Sequence, residues 1–122
     1  KYGTNSRIDL LLETEGQPDT YVEVKNCHLR RDGSLAEFPD SVTARGAKHL
    51  GELAAMAQAG HRAVLFYLVQ RTDCQTVTVA RDIDPTYAAA FDAARAAGVE
   101  VLAYGTRLSP SEITLGERLE VD

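Results

Sequence analysis

The chain has little of what would place it in a membrane, a secreted scaffold or a zinc fold. No apolar run approaches the ~20 residues that a bilayer-crossing helix needs. Nothing at its start has the charged, apolar and small-residue order of a secretory signal. Its two cysteines, Cys27 and Cys74, form no disulfide-framework pattern, so a reducing cytoplasm is the expected compartment. Cys27-His28, His49, His61 and Cys74 lack the paired close spacing of a structural zinc site. The serines at 6, 34, 41, 109 and 111 lack the surroundings of a hydrolase elbow, and no glycine-rich loop suits a nucleotide. Repeats and low-complexity tracts are absent. An excess of positive charge is lacking too: the formal net charge of −5 speaks against a general nucleic-acid coat. The distribution softens that objection, because residues 1–62 carry eight Lys or Arg against nine acids while residues 63–122 carry five against nine. What remains is one ordinary globular domain of 122 residues, long enough to bury a core.

Two short stretches dominate that domain: Ser6-Arg7-Ile8-Asp9 and Tyr21-Val22-Glu23-Val24-Lys25. Strand side chains alternate, so Tyr21, Glu23 and Lys25 share one face, as do Arg7, Asp9, Leu11 and Glu13 on the preceding strand. Opposed residues of an antiparallel pair point the same way and their numbers have a constant sum. Setting Asp9 opposite Glu23 makes that sum 32, which puts Leu11 opposite Tyr21 and Arg7 opposite Lys25. The connection then falls around Glu15-Gly16-Gln17-Pro18, a turn composition. Two carboxylates and an ammonium gather on one face.

Hydrolysis of a phosphodiester calls for that set. A hard cation such as Mg²⁺ or Mn²⁺ neutralises charge on the phosphate oxygens and activates water. Mg²⁺ keeps several waters, so one or two carboxylates are a sufficient protein contribution. Asp9 and Glu23 fit that role, and bound metal would turn their face positive. Lys25 beside them would orient the water and stabilise transition-state charge. The competing reading of these three residues is a solvated sheet face carrying opposed charges.

Farther on, 26–40 is polar with a turn-rich centre at Arg30-Arg31-Asp32-Gly33-Ser34. A helix capped near Ser41 or Thr43 runs to just before Gly60, its apolar stripe formed by Gly46, Leu50, Leu53, Ala54 and Ala57. Gly46 in that stripe implies close approach to the sheet. Arg45, Lys48 and Glu52 form an adjacent polar line with His49 at its edge. Residues 62–70 read as a strand covered on both faces. Asp84-Pro85 opens a helix that Gly98 ends. A strand follows over 99–104, then a small closing hairpin of 112–115 and 119–121. The stretch 75–79 reads as an edge strand or an extended loop. The order β-β-α-β-α-β implies an antiparallel hairpin feeding a mixed sheet flanked by helices.

The first hairpin and helix resemble the nuclease superfamily named for its PD-(D/E)xK motif. Most of the chain is similar, more specifically, to the C-terminal domain of the sugar fermentation stimulation protein family. The residues that carry this are Ser6-Arg7-Ile8-Asp9, Val22-Glu23-Val24-Lys25-Asn26, Phe38-Pro39-Asp40 and Arg45-Gly46 with Lys48-His49-Leu50 and Glu52-Leu53. Val69-Gln70-Arg71, Ile83-Asp84-Pro85 and Gly98-Val99-Glu100-Val101 continue it. The superfamily's proline is replaced by Ile8. The resemblance implies a restriction-endonuclease-like α/β core and a DNA-binding protein, with an OB-like domain of the same parent protein upstream. It carries Asp9, Glu23 and Lys25 onto the metal and catalytic positions and the Val24 carbonyl onto a metal-ligand position. Arg7, Arg45, Lys48 and His49 become candidate nucleic-acid contacts, with Glu52 and Gln70 in support. For the basic line and Glu52, a solvated helix face with a Lys48–Glu52 pair stands beside that reading. Two functions stay open: a Mg²⁺- or Mn²⁺-dependent nuclease, and a non-cleaving DNA-binding regulator of sugar-utilisation genes that keeps the nuclease fold. RNA as substrate and a homodimer are both compatible with the first. A membrane partner is not expected.

Overall fold

A computed structural model describes residues 10–12, 16, 19–108 and 113–122. Its elements are β1 (Leu10–Leu12), β2 (Thr20–Cys27), β3 (Leu29–Asp32), β4 (Leu35–Phe38), α1 (Ala44–Gln58), β5 (Arg62–Val69), β6 (Thr76–Val79), α2 (Pro85–Ala96), β7 (Glu100–Leu108) and β8 (Ile113–Val121). One sheet joins the eight strands in the order β1-β2-β5-β7-β8-β6-β4-β3. This is a mixed α/β fold of the expected class.

The first hairpin has the expected register. Leu10 pairs with Val22, Leu11 with Tyr21 and Leu12 with Thr20, each pair summing to 32. β2 then runs parallel to β5 over its whole length, with Glu23 level with Leu65 and Lys25 with Tyr67. β5 in turn is parallel to β7. Both crossovers between these strands carry a helix, as parallel pairing requires.

Both helices have caps written in the sequence. Thr43 accepts from the Gly46 N–H at 2.9 Å at the start of α1. Asp84 does the same for the Tyr87 N–H at 3.0 Å, with Pro85 in the first turn of α2. Gly60 and Gly98, at φ 96° and 107°, turn the chain out of each helix. The second oxygen of Asp84 accepts from the Thr43 N–H at 2.8 Å, so one carboxylate ties the two helix starts together.

The core lies between one face of the sheet and these helices. Leu50 and Leu53 of α1 and Tyr87, Phe91 and Ala94 of α2 meet Ala63, Leu65, Tyr67 and Val69 of β5. Each such Leu or Phe contributes about 1.5–3 kcal/mol by leaving water. The Tyr67 and Tyr87 hydroxyls satisfy one another at 2.7 Å across β5 and α2. Burial pushes both phenols well above their ordinary range, keeping the pair neutral.

Three expectations about the strands need correction. The polar stretch over 26–40 contains a hairpin, β3–β4, turning at Gly33. Arg30 and Arg31 disguise it because they are exposed, while Ala36 and Glu37 opposite the core are buried. Arg31 holds the buried Glu37 with a fork of 2.8 and 2.6 Å from Nε and Nη2, and reaches Asp82 with Nη1 and the same Nη2. Second, β6 is neither edge nor loop, since it lies between β4 and β8. Third, the closing hairpin is a single strand, β8. It pairs antiparallel with β7 and then, at Glu120 and Val121, parallel with β6. Through that joint the sheet curls until the Cys27 thiol of β2 donates to the Glu37 carbonyl of β4 at 3.1 Å.

Gly46 approaches its own cap and the second helix rather than the sheet. A Cβ there would sit 2.9 Å from Thr43 Cγ2 and 3.1 Å from Tyr87 Cε1. Gly51, on the exposed side of α1, would meet nothing within 4 Å. Alanine gains about 1 kcal/mol of helix propensity at either position, but overpacking costs about 1–3 kcal/mol. Urea denaturation should therefore show Gly51→Ala more stable than the parent and Gly46→Ala less stable by about 1–2 kcal/mol.

Asp84 supplies a pH dependence. The N–H groups of Thr43 and then Tyr87 hold its carboxyl below the ordinary range. Its folded pKa is depressed, so its stabilisation is present above about pH 4 and is lost as pH falls through the folded value. Asp84→Asn should flatten the acid limb of a Tm-against-pH curve. An unchanged limb would mean that other carboxylates govern it.

Candidate functional site

Glu23 sits in the middle of β2 with only 2 % of its surface exposed. A carboxylate buried that deeply needs donors around it. Two are present on different elements. Lys25, two residues on and on the same strand face, brings its Nζ to 3.3 Å from Glu23 Oε1. His49 of α1 brings Nδ1 to 2.9 Å from the same oxygen. Nζ and Nδ1 are themselves 3.0 Å apart, closing a triangle.

The electrostatics follow from that packing. His49 is 4 % exposed, and burial is the main force pushing its pKa below the ordinary value. The Lys25 ammonium pushes the same way, while Glu23 opposes it. The ring is thus a neutral imidazole at neutral pH. Nδ1 then donates to Glu23 in one tautomer or accepts from Lys25 in the other.

The remaining candidates divide clearly. Glu52, one turn along α1 from His49, is half-buried, and its charge and that of Arg45 both act on His49. Arg45 and Lys48 are exposed on α1, and neither enters an ion pair among the described residues. Val24 turns its side chain to the opposite face from Glu23 and Lys25, leaving its main chain between them. Gln70 lies past the end of β5, where its amide donates to Asn26 Oδ1 at 3.3 Å, so it is not part of the triangle. Arg7 and Asp9 lie outside the described residues. Among the described residues, no three His, Cys, Asp or Glu side chains converge as a ready metal cage. The residues that fit a hard divalent ion are therefore Glu23 and the nearby main chain, with a further carboxylate to be supplied.

His49 is the residue whose place the sequence reading misjudged. The helical pattern puts it at the edge of the polar line, a candidate nucleic-acid contact, but the structure buries it. The signal was available: His49 lies three residues after Gly46 and four before Leu53, on the buried stripe.

With this geometry in place, the chain can be set beside known proteins. A family model described as the sugar fermentation stimulation protein RE domain matches residues 1–112. The chain belongs to the sugar fermentation stimulation protein family. A homolog from Dinoroseobacter shibae is 66 % identical over 122 residues, covering all of this chain and 50 % of that protein. One from Roseobacter denitrificans is 63 % identical over 121 residues, covering 99 % of this chain and 52 % of that protein. The chain thus spans about half the length of the curated relatives it matches. A solved structure of Pyrococcus furiosus SfsA in complex with Ca²⁺ superimposes with a TM-score of 0.91 at 32 % identity, over all of this chain and 52 % of that one. The restriction-endonuclease-like core expected from the sequence is the fold that this family member shares.

The triangle makes an asymmetric prediction for stability in metal-free buffer. Glu23 has a side chain 3 % exposed, whereas Lys25 retains 17 %. Removing the lysine strands a buried charge, while removing the carboxylate leaves an ammonium that can reach water. Lys25→Met should cost about 2–3 kcal/mol and Glu23→Gln about 1 kcal/mol or less by urea denaturation. The reverse order would mean that the lysine does not stabilise the carboxylate.

Proposed function

We propose that this domain is a metal-dependent phosphodiesterase module of PD-(D/E)xK type that acts on DNA. The observation carrying this reading is the convergence of the Glu23 carboxylate and the Lys25 ammonium on one strand face, 3.3 Å apart. The family fold and the Ca²⁺ complex of the Pyrococcus furiosus relative support it. Glu23 and Asp9 would hold Mg²⁺ or Mn²⁺ with the Val24 carbonyl. The ion would supply charge neutralisation at the phosphate and a more acidic water.

The chain's own residues do the rest. Lys25 stabilises negative charge developing on the phosphate and fixes the attacking water. Arg45 and Lys48 stand on the exposed side of the helix that carries His49, where they contact backbone phosphates without reading sequence. Glu52 supports the site from α1. The acidic remainder of the molecule keeps DNA confined to this face.

A non-cleaving DNA-binding role in sugar-utilisation control is the alternative, and the net charge of −5 is the observation in its favour. Cleavage of labelled single- and double-stranded DNA and of RNA separates the two. The assay is run with Mn²⁺, Mg²⁺ or chelator on this chain and, in parallel, on the full-length Dinoroseobacter shibae relative. Metal-dependent products should fall at least ~100-fold in Lys25→Ala and in Glu23→Gln. DNA binding without cleavage, unchanged by either substitution, would establish the alternative.

A further inference from the structure

We propose that His49 is the positioning residue for Lys25: a buried ring that fixes the ammonium beside Glu23 for the hydrolysis proposed above, on which this role rests. A lysine ends in a compact charge on a flexible four-carbon stem. A group that stabilises a transition state must instead stand within about half an ångström of its productive place. Glu23, at 3.3 Å, offers Lys25 attraction but little direction. His49 Nδ1, at 3.0 Å, supplies a second fixed point, so that the ammonium is held from both β2 and α1.

The ring is suited to that task because it is itself immobile. Leu50, its neighbour, and Leu53, one turn on, are 1 % and 0 % exposed and anchor α1 in the core. Other roles fit less well. A side chain 6 % exposed does not reach a DNA phosphate. Its inward nitrogen faces Lys25 and Glu23 and is engaged by one of them in either tautomer, which argues against metal ligation. Simple packing does not account for it either. An apolar ring would fill the space without the cost of burying a polar one, which a structure bears where the polar atom is used.

The test compares His49→Phe, His49→Gln, Lys25→Ala and the double variant His49→Phe/Lys25→Ala, all with Mn²⁺ and labelled DNA. His49→Phe should lower kcat roughly 10- to 100-fold and leave KM within about threefold. Glutamine, which restores a polar atom, should recover part of the loss. The double variant should be no slower than Lys25→Ala within about twofold, since a positioning residue has nothing left to position. Losses that multiply would overturn the proposal.

A second readout needs no turnover. Trace acylation of the folded protein, located by mass spectrometry with exposed Lys48 as internal standard, reports how tightly each amine is held. Lys25 should react at least about fivefold faster in His49→Phe, because its stem regains its freedom. Unchanged Lys25 labelling in both His49 variants would overturn the proposal whatever the cleavage result. Faster labelling in a protein that cuts no DNA would support the positioning and defeat the hydrolytic reading. If His49→Phe fails to fold, His49→Gln carries the same comparisons.

Discussion

The structure turns on a single constraint: a carboxylate, Glu23, buried on β2 of the mixed sheet, between antiparallel β1 and parallel β5. In that position a lone charge would be expelled or neutralised, because desolvation outweighs anything the strand itself supplies. It persists because the Lys25 ammonium stands 3.3 Å from its oxygen while His49 closes on the pair from α1. The requirement reaches far into the fold. β2 must run beside β5, α1 must cross over the sheet, and the crossing must bring one histidine to within 3 Å of one strand position. The two caps joined through Asp84, the glycine that lets α1 approach Tyr87, and the Tyr67–Tyr87 hydroxyl pair all serve to fix that crossing.

Stability and function pull against each other at this point. A leucine in place of Glu23 would pack against the same core without a desolvation cost, as replacements of buried ion pairs often do. The energy forgone is held as a pre-set arrangement of charge, which under the proposed function would meet a cation and a phosphate without reorganisation. Several of the other charges are ordinary. Arg62 with Glu100, Arg81 with Asp92 and Arg71 with Asp73 are exposed pairs that contribute little. Arg45 and Lys48 of α1 are exposed and enter no such pair among the described residues.

What could be read from sequence was set by how local the signal is. The register of the first hairpin followed from alternation and one constraint, that Asp9 stand opposite Glu23, and the described pairs agree with it. Both helices were legible because Thr43, Asp84-Pro85, Gly60 and Gly98 mark their ends. The β3–β4 hairpin was hidden by Arg30 and Arg31, whose charge suits its exposed strand but not a pattern search. β6, a four-residue Thr-Val-Thr-Val segment, owes its interior place to partners 41 residues before it, on β4, and 44 residues after it, on β8, which alternation alone does not reveal. His49 reads as the edge of the polar line because its polarity outweighs its spacing, whereas it lies on the buried stripe. A buried polar residue at a core position is where pattern reasoning fails and where function is most often found.

The central claim is that a divalent cation is held at Glu23. Titration of the isotope-labelled protein with Mn²⁺, read as paramagnetic broadening of backbone amide signals, tests it most directly. The account predicts that the first signals lost are those of residues 23–25 and of α1 near His49 and Glu52, and that Glu23→Gln abolishes the effect. Broadening centred on the surface acids around Asp73 or Asp82, or none at sub-millimolar Mn²⁺, would contradict it.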